Sequence, residues 1–189
     1  MWVQPFPARF TIEDRDDRTR IVLPSRKVWF VLLFLGVWLV GWACAEVSVL
    51  SVVIAGRGAG SAPFLSFWLV GWTLGGAMAF FSLLWQLAGS ETIEVTGETL
   101  RVWRSIFGLH LPARIYAAEH VQDLRVPVRD APHPFSRERT NVLLGLGPGA
   151  IAFDYGARTI HIAAGADEAE AKLIVAAICQ RYPRYRHGR

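Results

Sequence analysis

Hydrophobic residues are concentrated in two long runs in the first half of the chain. Residues 28–45 carry no charge and continue through Glu46 into VSVLSVVIA, and residues 64–88 carry no charge either. An α-helix rises about 1.5 Å per residue, so roughly 20 apolar residues cross a hydrocarbon core of about 30 Å. The pattern predicts a transmembrane helical hairpin over residues 28–88, with helices at about residues 28–50 and 64–88.

Two other interpretations fit these runs less well. A buried core hairpin of a soluble protein has no need of Trp68 and Trp85 near the two ends of the second run, where membrane helices carry interfacial aromatics. A cleaved signal peptide has a short basic segment before its apolar region, but residues 1–27 contain Glu13, Asp14, Asp16 and Asp17. The first run is therefore expected to remain uncleaved.

Basic residues flank the runs unequally and predict the orientation. Arg9, Arg15, Arg18, Arg20, Arg26 and Lys27 precede the first run. The connecting loop GRGAGSAP carries Arg57 alone, and Arg101 and Arg104 follow the second run. By the positive-inside rule, we expect a multi-pass protein of the inner membrane with both termini in the cytoplasm.

The polar flanks show the two-residue period of β-strands. In residues 1–27, Phe10 and Ile12 share one parity, and Ile21 and Leu23 share another, which favours a hairpin that could join a larger sheet. Residues 89–189 contain TIEVT, then Gly97-Glu98, then TLRVWRSI, and five further segments with strand character: LHLPARIYAA, DLRVPV, NVLLG, GAIAFDY and RTIHIA. We expect six or seven antiparallel strands here, with Gly97 at positive φ in the first turn.

A C-terminal helix is predicted over residues 167–182. It opens with the acidic residues of DEAEAK, which favour the positive end of a helix dipole, and it ends near Arg181, before Pro183. The fold class is therefore α+β: a membrane hairpin, an antiparallel sheet structure and a closing helix.

Charge and cysteine content indicate which partners and cross-links are not expected. The net charge of +4 is divided about equally between the two flanks, so no nucleic acid partner is expected. Cys44 lies in the first run and Cys179 in the C-terminal helix, which makes a disulfide between them unlikely to form, and neither has metal-ligand spacing.

No catalytic constellation is recognisable, and we expect neither an enzyme nor a cofactor or metal. The polar stretch IAFDYGARTIHIAAGADEAEAK is interpreted as a strand pair with a turn at Tyr155, where Asp154 would bond the turn backbone, followed by the helix start. GLGPG at residues 145–149 lacks the Lys-Ser/Thr of a phosphate loop. His110, His120 and His161 are interpreted as surface residues.

Small residues recur four apart on both predicted membrane helices. Gly41 and Ala45 share one face of the first, and Gly71, Gly75 and Ala79 share one face of the second. Small residues at this spacing let helices approach closely in lipid, so these faces are expected to pack against each other, or in the alternative to form a homodimer.

Glu46 and a set of basic residues are the remaining candidates. Glu46 lies at the outer interface if the first helix enters the membrane at Val28, but becomes a candidate intramembrane functional carboxylate if that helix runs unbroken to Ala55 and tilts. The residues expected to contact the membrane surface are Arg26, Lys27, Arg101, Arg104, Arg181, Arg184 and Arg186, the last three within the tail RYPRYRHGR.

The chain resembles the bacterial pleckstrin-homology-like membrane proteins, whose function is largely unknown. The resemblance rests on IVLPSRKVWF leading into WLVGWACAE, on GSETIEVTGETLRVWRSIFG, and on IAFDYGARTIHIAAGADEAEAKLIV. It implies that residues 89–189 form a PH-like antiparallel β-barrel or sandwich capped by the C-terminal helix. Gly97-Glu98 is short and acidic where headgroup-binding relatives of this fold carry a basic loop, which counts against phosphoinositide-type binding.

Three functions are consistent with these patterns. The first is an integral membrane protein that presents its PH-like domain to a protein partner or to a second copy of itself. The second is a module that senses anionic lipid through the basic tail. The third is a small subunit of a transporter or channel built around Glu46.

Overall fold

The computed structural model describes residues 9–15, 17–56, 62–127, 147 and 149–185. The chain divides into two compact units. Met1–Arg26 and Ala88–Arg189 form one, and Lys27–Leu87 forms the other. The N-terminal segment thus belongs to the same unit as the C-terminal half, with the helical segment inserted between them.

The helical unit contains α1 (Trp29–Ile54) and α2 (Ala62–Ala88). Both helices are apolar around their whole circumference, and neither has an acidic residue in its first turn or a basic residue in its last. Each is long and apolar enough to cross a membrane, and only 11% of its most apolar window is buried. A core helix of a soluble protein would be mostly buried, whereas most of the apolar side chains of α1 and α2 are exposed.

The first sheet of the α+β unit is antiparallel and has six strands. These are β1 (Thr11–Arg15), β2 (Arg18–Pro24), β3 (Gly89–Thr96), β4 (Thr99–Ile106), β5 (Leu109–His110) and β6 (Arg114–Ala117). Their order is β1-β2-β3-β4-β5, and β6 also pairs with β4. The predicted N-terminal hairpin is present, and β2 extends the sheet by pairing with β3 from Arg18 opposite Thr96 to Pro24 opposite Ser90.

The second sheet contains β7 (Val121–Arg125), β8 (Ile151–Tyr155) and β9 (Arg158–Ile162), in that order. Helix α3 (Glu168–Arg181) follows, close to the predicted bounds. Its N-terminus is a capping box, because Asp167 accepts from the N–H of Glu170 while the Glu170 carboxylate accepts from the N–H of Asp167. Glu170 also pairs with Arg9 at 2.8 Å, which joins the N-terminal segment to α3.

Both sheets and α3 share one hydrophobic core. Fully buried side chains come from β2 (Ile21), β3 (Ile93), β4 (Leu100), β8 (Phe153) and α3 (Ile174). Strands β3 to β9 are seven within the described residues, but LHLPARIYAA forms two of them, β5 and β6, and the predicted strand NVLLG lies outside the described residues. Neither sheet closes on itself there: two open antiparallel sheets enclose a common core, and a closed barrel stays a prediction.

One turn differs from the prediction. Gly97 does not have positive φ; instead the Thr96 hydroxyl accepts from the N–H of Thr99 at 2.9 Å and stabilises the β3–β4 turn. The β4–β5 turn does use positive φ, at Phe107 (50°) and Gly108 (79°). A non-glycine residue in this region is uncommon and requires support from the surrounding structure.

Candidate functional site

Both connections to the helical segment leave the α+β unit from the same end of the six-stranded sheet, where β2 ends and β3 begins; 'edge' is used below for such a row of strand ends and not for an edge strand. Strand β2 ends at Pro24, opposite Ser90, and the N–H of Ser25 donates to the carbonyl of Gly89 at 2.9 Å. Strand β3 begins at Gly89, directly after α2 ends. We call this the entry edge and include in it residues 24–28, 88–90 and 105–111.

Three large apolar side chains are exposed at the entry edge. Phe107 is 66% exposed, Leu109 77% and Leu111 43%. The backbone holds them there, because Ile106 pairs with Gly89 and the N–H of Phe107 lies 3.4 Å from the carbonyl oxygen of Ala88. The N–H of Leu111 donates to the carbonyl of Arg104 at 2.8 Å. Such grouped exposure indicates a surface with an apolar partner.

The predicted basic residues do not lie together. Arg26 and Lys27 are exposed and follow Ser25 at the entry edge, and Arg104 lies two residues before the end of β4 at the same edge. Arg101 is nearer the other end of β4, 4.0 Å from Glu94.

Arg181 and Arg184 lie at the opposite end of the sheet, the distal edge (residues 14–18 and 96–99). Arg184 donates to the carbonyl of Gly97, and Arg181 pairs with Asp14 at 3.1 Å. Strand β3 has eight residues, so the two edges are about 25 Å apart. A membrane at the entry edge would therefore be well beyond the Debye length of about 8 Å from these two arginines. Arg186 lies outside the described residues.

A cavity of about 250 Å³ beside the entry edge has a basic wall. Arg104, Arg114 and His161 line it, together with Trp103, Tyr116 and Leu111. Glu91, also in the lining, is 3% exposed; its two oxygens accept from the backbone N–H groups of Ala163 (2.9 Å) and Ala164 (3.1 Å), and one is 3.8 Å from Arg104. The cavity lining thus contains two guanidinium groups, one of them beside Glu91, and an imidazole, and guanidinium groups are good donors to an anion.

A second, more apolar groove of about 500 Å³ lies between β7 and α3. Its lining is Leu124, Val126, Val175, Ala176 and Cys179, with Lys172 and Gln180. Within the described part of the chain β7 pairs with β8. An apolar groove between a strand and a helix is a geometry that accepts an apolar segment of a partner.

The polar stretch at residues 151–172 has structural roles, with one difference from the prediction. Asp154 does not bond the turn backbone; its oxygens accept from the Arg125 guanidinium at 2.8 and 3.1 Å and from the Thr159 hydroxyl at 2.7 Å. These bonds link β7, β8 and β9. The hydrogen bond from Arg125, followed by the one from Thr159, lowers the pKa of Asp154 and keeps it ionised.

Among the described residues no group of three His, Cys, Asp or Glu could hold a metal. His110 packs against the edge of Trp103 at 6.5 Å between ring centroids, and His120 lies 3.4 Å from Glu119. His161 lines the cavity of about 250 Å³ described above. Of the GLGPG segment, Gly147 and Gly149 alone are described.

Helix α1 continues unbroken to Ile54 and so extends well past Glu46, whose place inside a membrane stays a prediction. Glu46 is about 26 Å from the start of α1 and about 12 Å from its end. The Thr73 hydroxyl of α2 donates to Glu46 Oε1 at 2.6 Å and is 2.8 Å from the carbonyl of Leu69. Glu46 Oε2 is buried without a hydrogen-bond partner among the described residues. The sequence did not predict this pairing with Thr73. The pattern of residues does not show which position of α2 lies beside a given position of α1.

The prediction for the small residues was wrong in detail. A Cβ added at Gly41, Gly71 or Gly75 would meet no atom within 4 Å, so these glycines do not make the α1–α2 contact. The close approach is at Gly76, where a Cβ would overlap the indole of Trp42. Trp42 Nε1–H donates to the carbonyl of Trp72 at 3.2 Å. Ala45 and Ala79 are half-buried on their helices.

No family model, curated protein or solved structure matches this chain. The functional proposal therefore depends on the geometry of the two units and on the residues that each presents.

Proposed function

We propose that the chain is an integral membrane protein whose helical hairpin anchors a PH-like α+β unit at the inner membrane surface, where it binds a protein partner. The observation that carries this proposal is the exposure of α1 and α2. Side chains such as Trp29 (74%), Phe30 (78%) and Phe67 (81%) are exposed in the chain alone, and a bilayer is the environment that suits such long apolar helices.

The orientation is part of the proposal and rests on charge. Arg26 and Lys27 stand directly before α1, and the basic residues of β4 follow α2, whereas the α1–α2 connection carries one arginine. The α+β unit and both termini are therefore assigned to the cytoplasmic side.

The groove between β7 and α3 is the proposed contact for the partner. Its lining by Leu124, Val126, Val175 and Ala176 suits an apolar segment of another protein, whose side chains would pack into the groove. Lys172 and Gln180 supply polar contacts at the same place.

Site-specific photo-crosslinking in native membranes tests this assignment. A photoreactive amino acid at Ala176, which is exposed and lines the groove, is expected to form a defined adduct with one protein. Leu173 is an exposed position on the same helix that does not line the groove, and it serves as the matched control. Equal adducts at Ala176 and Leu173 would refute the partner site. The same conclusion would follow if the probe at Ala176 reacted with no protein other than this chain itself.

A second candidate function is favoured by the basic cavity beside the entry edge. Arg104, Arg114 and His161 could take the phosphate group of an anionic lipid, which moves the lipid-sensing proposal from the C-terminal tail to this wall. Glycerol 3-phosphate is expected to raise the unfolding temperature of the purified chain. The rise should disappear in Arg114→Ala and remain in Arg158→Ala, an exposed arginine outside the cavity. No rise in the unaltered protein would exclude this role.

A further inference from the structure

The exposed apolar residues Phe107, Leu109 and Leu111 are not used by the protein-binding groove or by the core. All three belong to the entry edge, and they lie on a tight turn and a two-residue strand. The cost of exposing three large apolar side chains together is explained only if another apolar phase covers them.

Chain connectivity identifies that phase. No residue separates α2 from β3, and only residues 25–28 separate β2 from α1. Four extended residues span at most about 14 Å. Pro24 and Gly89, the residues of the entry edge that the chain joins to the helices, therefore lie within this distance of the helix ends. On the proposed function, those helix ends lie at the lipid headgroup layer.

The charges at the entry edge match the same surface. Arg26 and Lys27 are exposed between Ser25 and the start of α1, and Arg104 precedes the apolar turn. Apolar side chains flanked by basic residues are the combination by which proteins lie in the interface of an anionic bilayer, with the apolar part about 5–10 Å deep.

We propose that Phe107, Leu109 and Leu111 insert into the headgroup layer of the membrane that holds α1 and α2, so that the entry edge forms a second, peripheral lipid contact. The proposal depends on the proposed membrane anchor. It fixes the α+β unit with the distal edge, Arg181 and Arg184 directed away from the bilayer, and it leaves the groove between β7 and α3 open to the cytoplasm.

Spin-label accessibility in the full chain tests this contact. In a Cys44→Ser, Cys179→Ala background, single cysteines are introduced by Phe107→Cys and Leu109→Cys, and the labelled chain is placed in vesicles that contain phosphatidylglycerol. Both labels are expected to collide more with dissolved oxygen than with a water-soluble nickel complex. Leu109 provides a second position, because its backbone does not have the positive φ of Phe107.

Two control positions define the expected contrast. Ile115→Cys replaces a residue that is apolar and 57% exposed but lies opposite Arg101, away from the entry edge. Glu98→Cys labels the distal turn. Both labels should collide more with the nickel complex than with oxygen.

Three results would overturn the inference. Labels at 107 and 109 could be open to water while the chain resists carbonate extraction, in which case the anchor stands and the lipid contact does not. They could be shielded from both reagents, which would indicate a protein contact. All four labels could be equally accessible to oxygen, which would show that the entry edge is not special. Release of the chain by carbonate would instead refute the anchor itself.

Discussion

The two adjacent glycines of α2, Gly75 and Gly76, allow a sharp test of how the hairpin is packed. The perturbation is a single methyl group at each position. At Gly76 it would overlap the indole of Trp42, and at Gly75 it would meet nothing within 4 Å. The two changes are identical in chemistry and one residue apart in sequence, so any difference between them reports the helix contact.

The expected magnitude follows from the surroundings of each residue. Overpacking a tight contact typically costs about 1–3 kcal/mol, and displacing Trp42 would also break its hydrogen bond to the carbonyl of Trp72. An interhelical hydrogen bond in a membrane contributes about 0.6 kcal/mol on average. Gly76→Ala should therefore destabilise the hairpin by about 2–3 kcal/mol. Gly75→Ala should be neutral or stabilising by up to about 1 kcal/mol, because alanine favours the helix.

Reversible unfolding in mixed micelles, with rising mole fraction of a denaturing detergent, measures both variants. Tryptophan fluorescence reports the transition, since Trp38, Trp68 and Trp72 form a ring cluster in the hairpin with centroids 4.6–6.5 Å apart. If Gly75→Ala lowers stability more than Gly76→Ala, the contact is on the face predicted from the sequence, or a dimer covers it, and the packing described here is wrong.

Three further results are expected. Burial raises the pKa of Tyr185 to about 12, so roughly 3 kcal/mol of stability should be present below about pH 10 and lost as the pH rises towards 12. An absorbance titration of the tyrosines should show one group that ionises later than the others and that Tyr185→Phe removes. A titration in which all tyrosines ionise together would contradict this prediction. Glu91→Ala leaves two backbone N–H groups unpaired and should cost about 2–4 kcal/mol in denaturant unfolding, with a smaller loss for Glu91→Gln, whereas equal losses would argue against the two bonds. Thr73→Val should weaken the hairpin by about 0.6–1.7 kcal/mol in the micelle assay, while Glu46→Gln, which keeps an acceptor, should change it less; the reverse order would refute the pairing of these residues.

The elements that the sequence predicts well have signals that are local in the chain. The two long helices are predictable because a long apolar run identifies a helix without information on which elements pack against it. Helix α3 is visible because Asp167 and Glu170 have the three-residue spacing of a capping box, followed at once by an apolar face. The turn at Gly97 was less predictable, since a threonine hydroxyl replaced the glycine conformation that turns of this length often use.

The features that the sequence did not predict depend on which elements are neighbours. Spacing places Gly71 and Gly75 on one face of α2 but does not say which face meets α1, and the bulk of Trp42 directs the contact to Gly76. In the same way, the sequence around Arg184 does not show which strands lie near it. Its position at the distal edge results from the strand order, which brings it to Gly97. Asp154 pairs with Arg125 across 29 residues because β7 and β8 are adjacent.

The adjacency of β2 and β3 has a consequence for biosynthesis. A ribosome releases β1 and β2 before either long helix and β3 after both, so β2, which contributes Ile21 to the core, waits without its partner β3 while the helical segment is synthesised. If the proposed membrane anchor holds, completion of the sheet is coupled to insertion of that segment. A truncated product that starts at Gly89 would lack Ile21 in its core and would expose the side of β3 that β2 covers. We expect such a product to be degraded rather than to fold as a stable soluble domain.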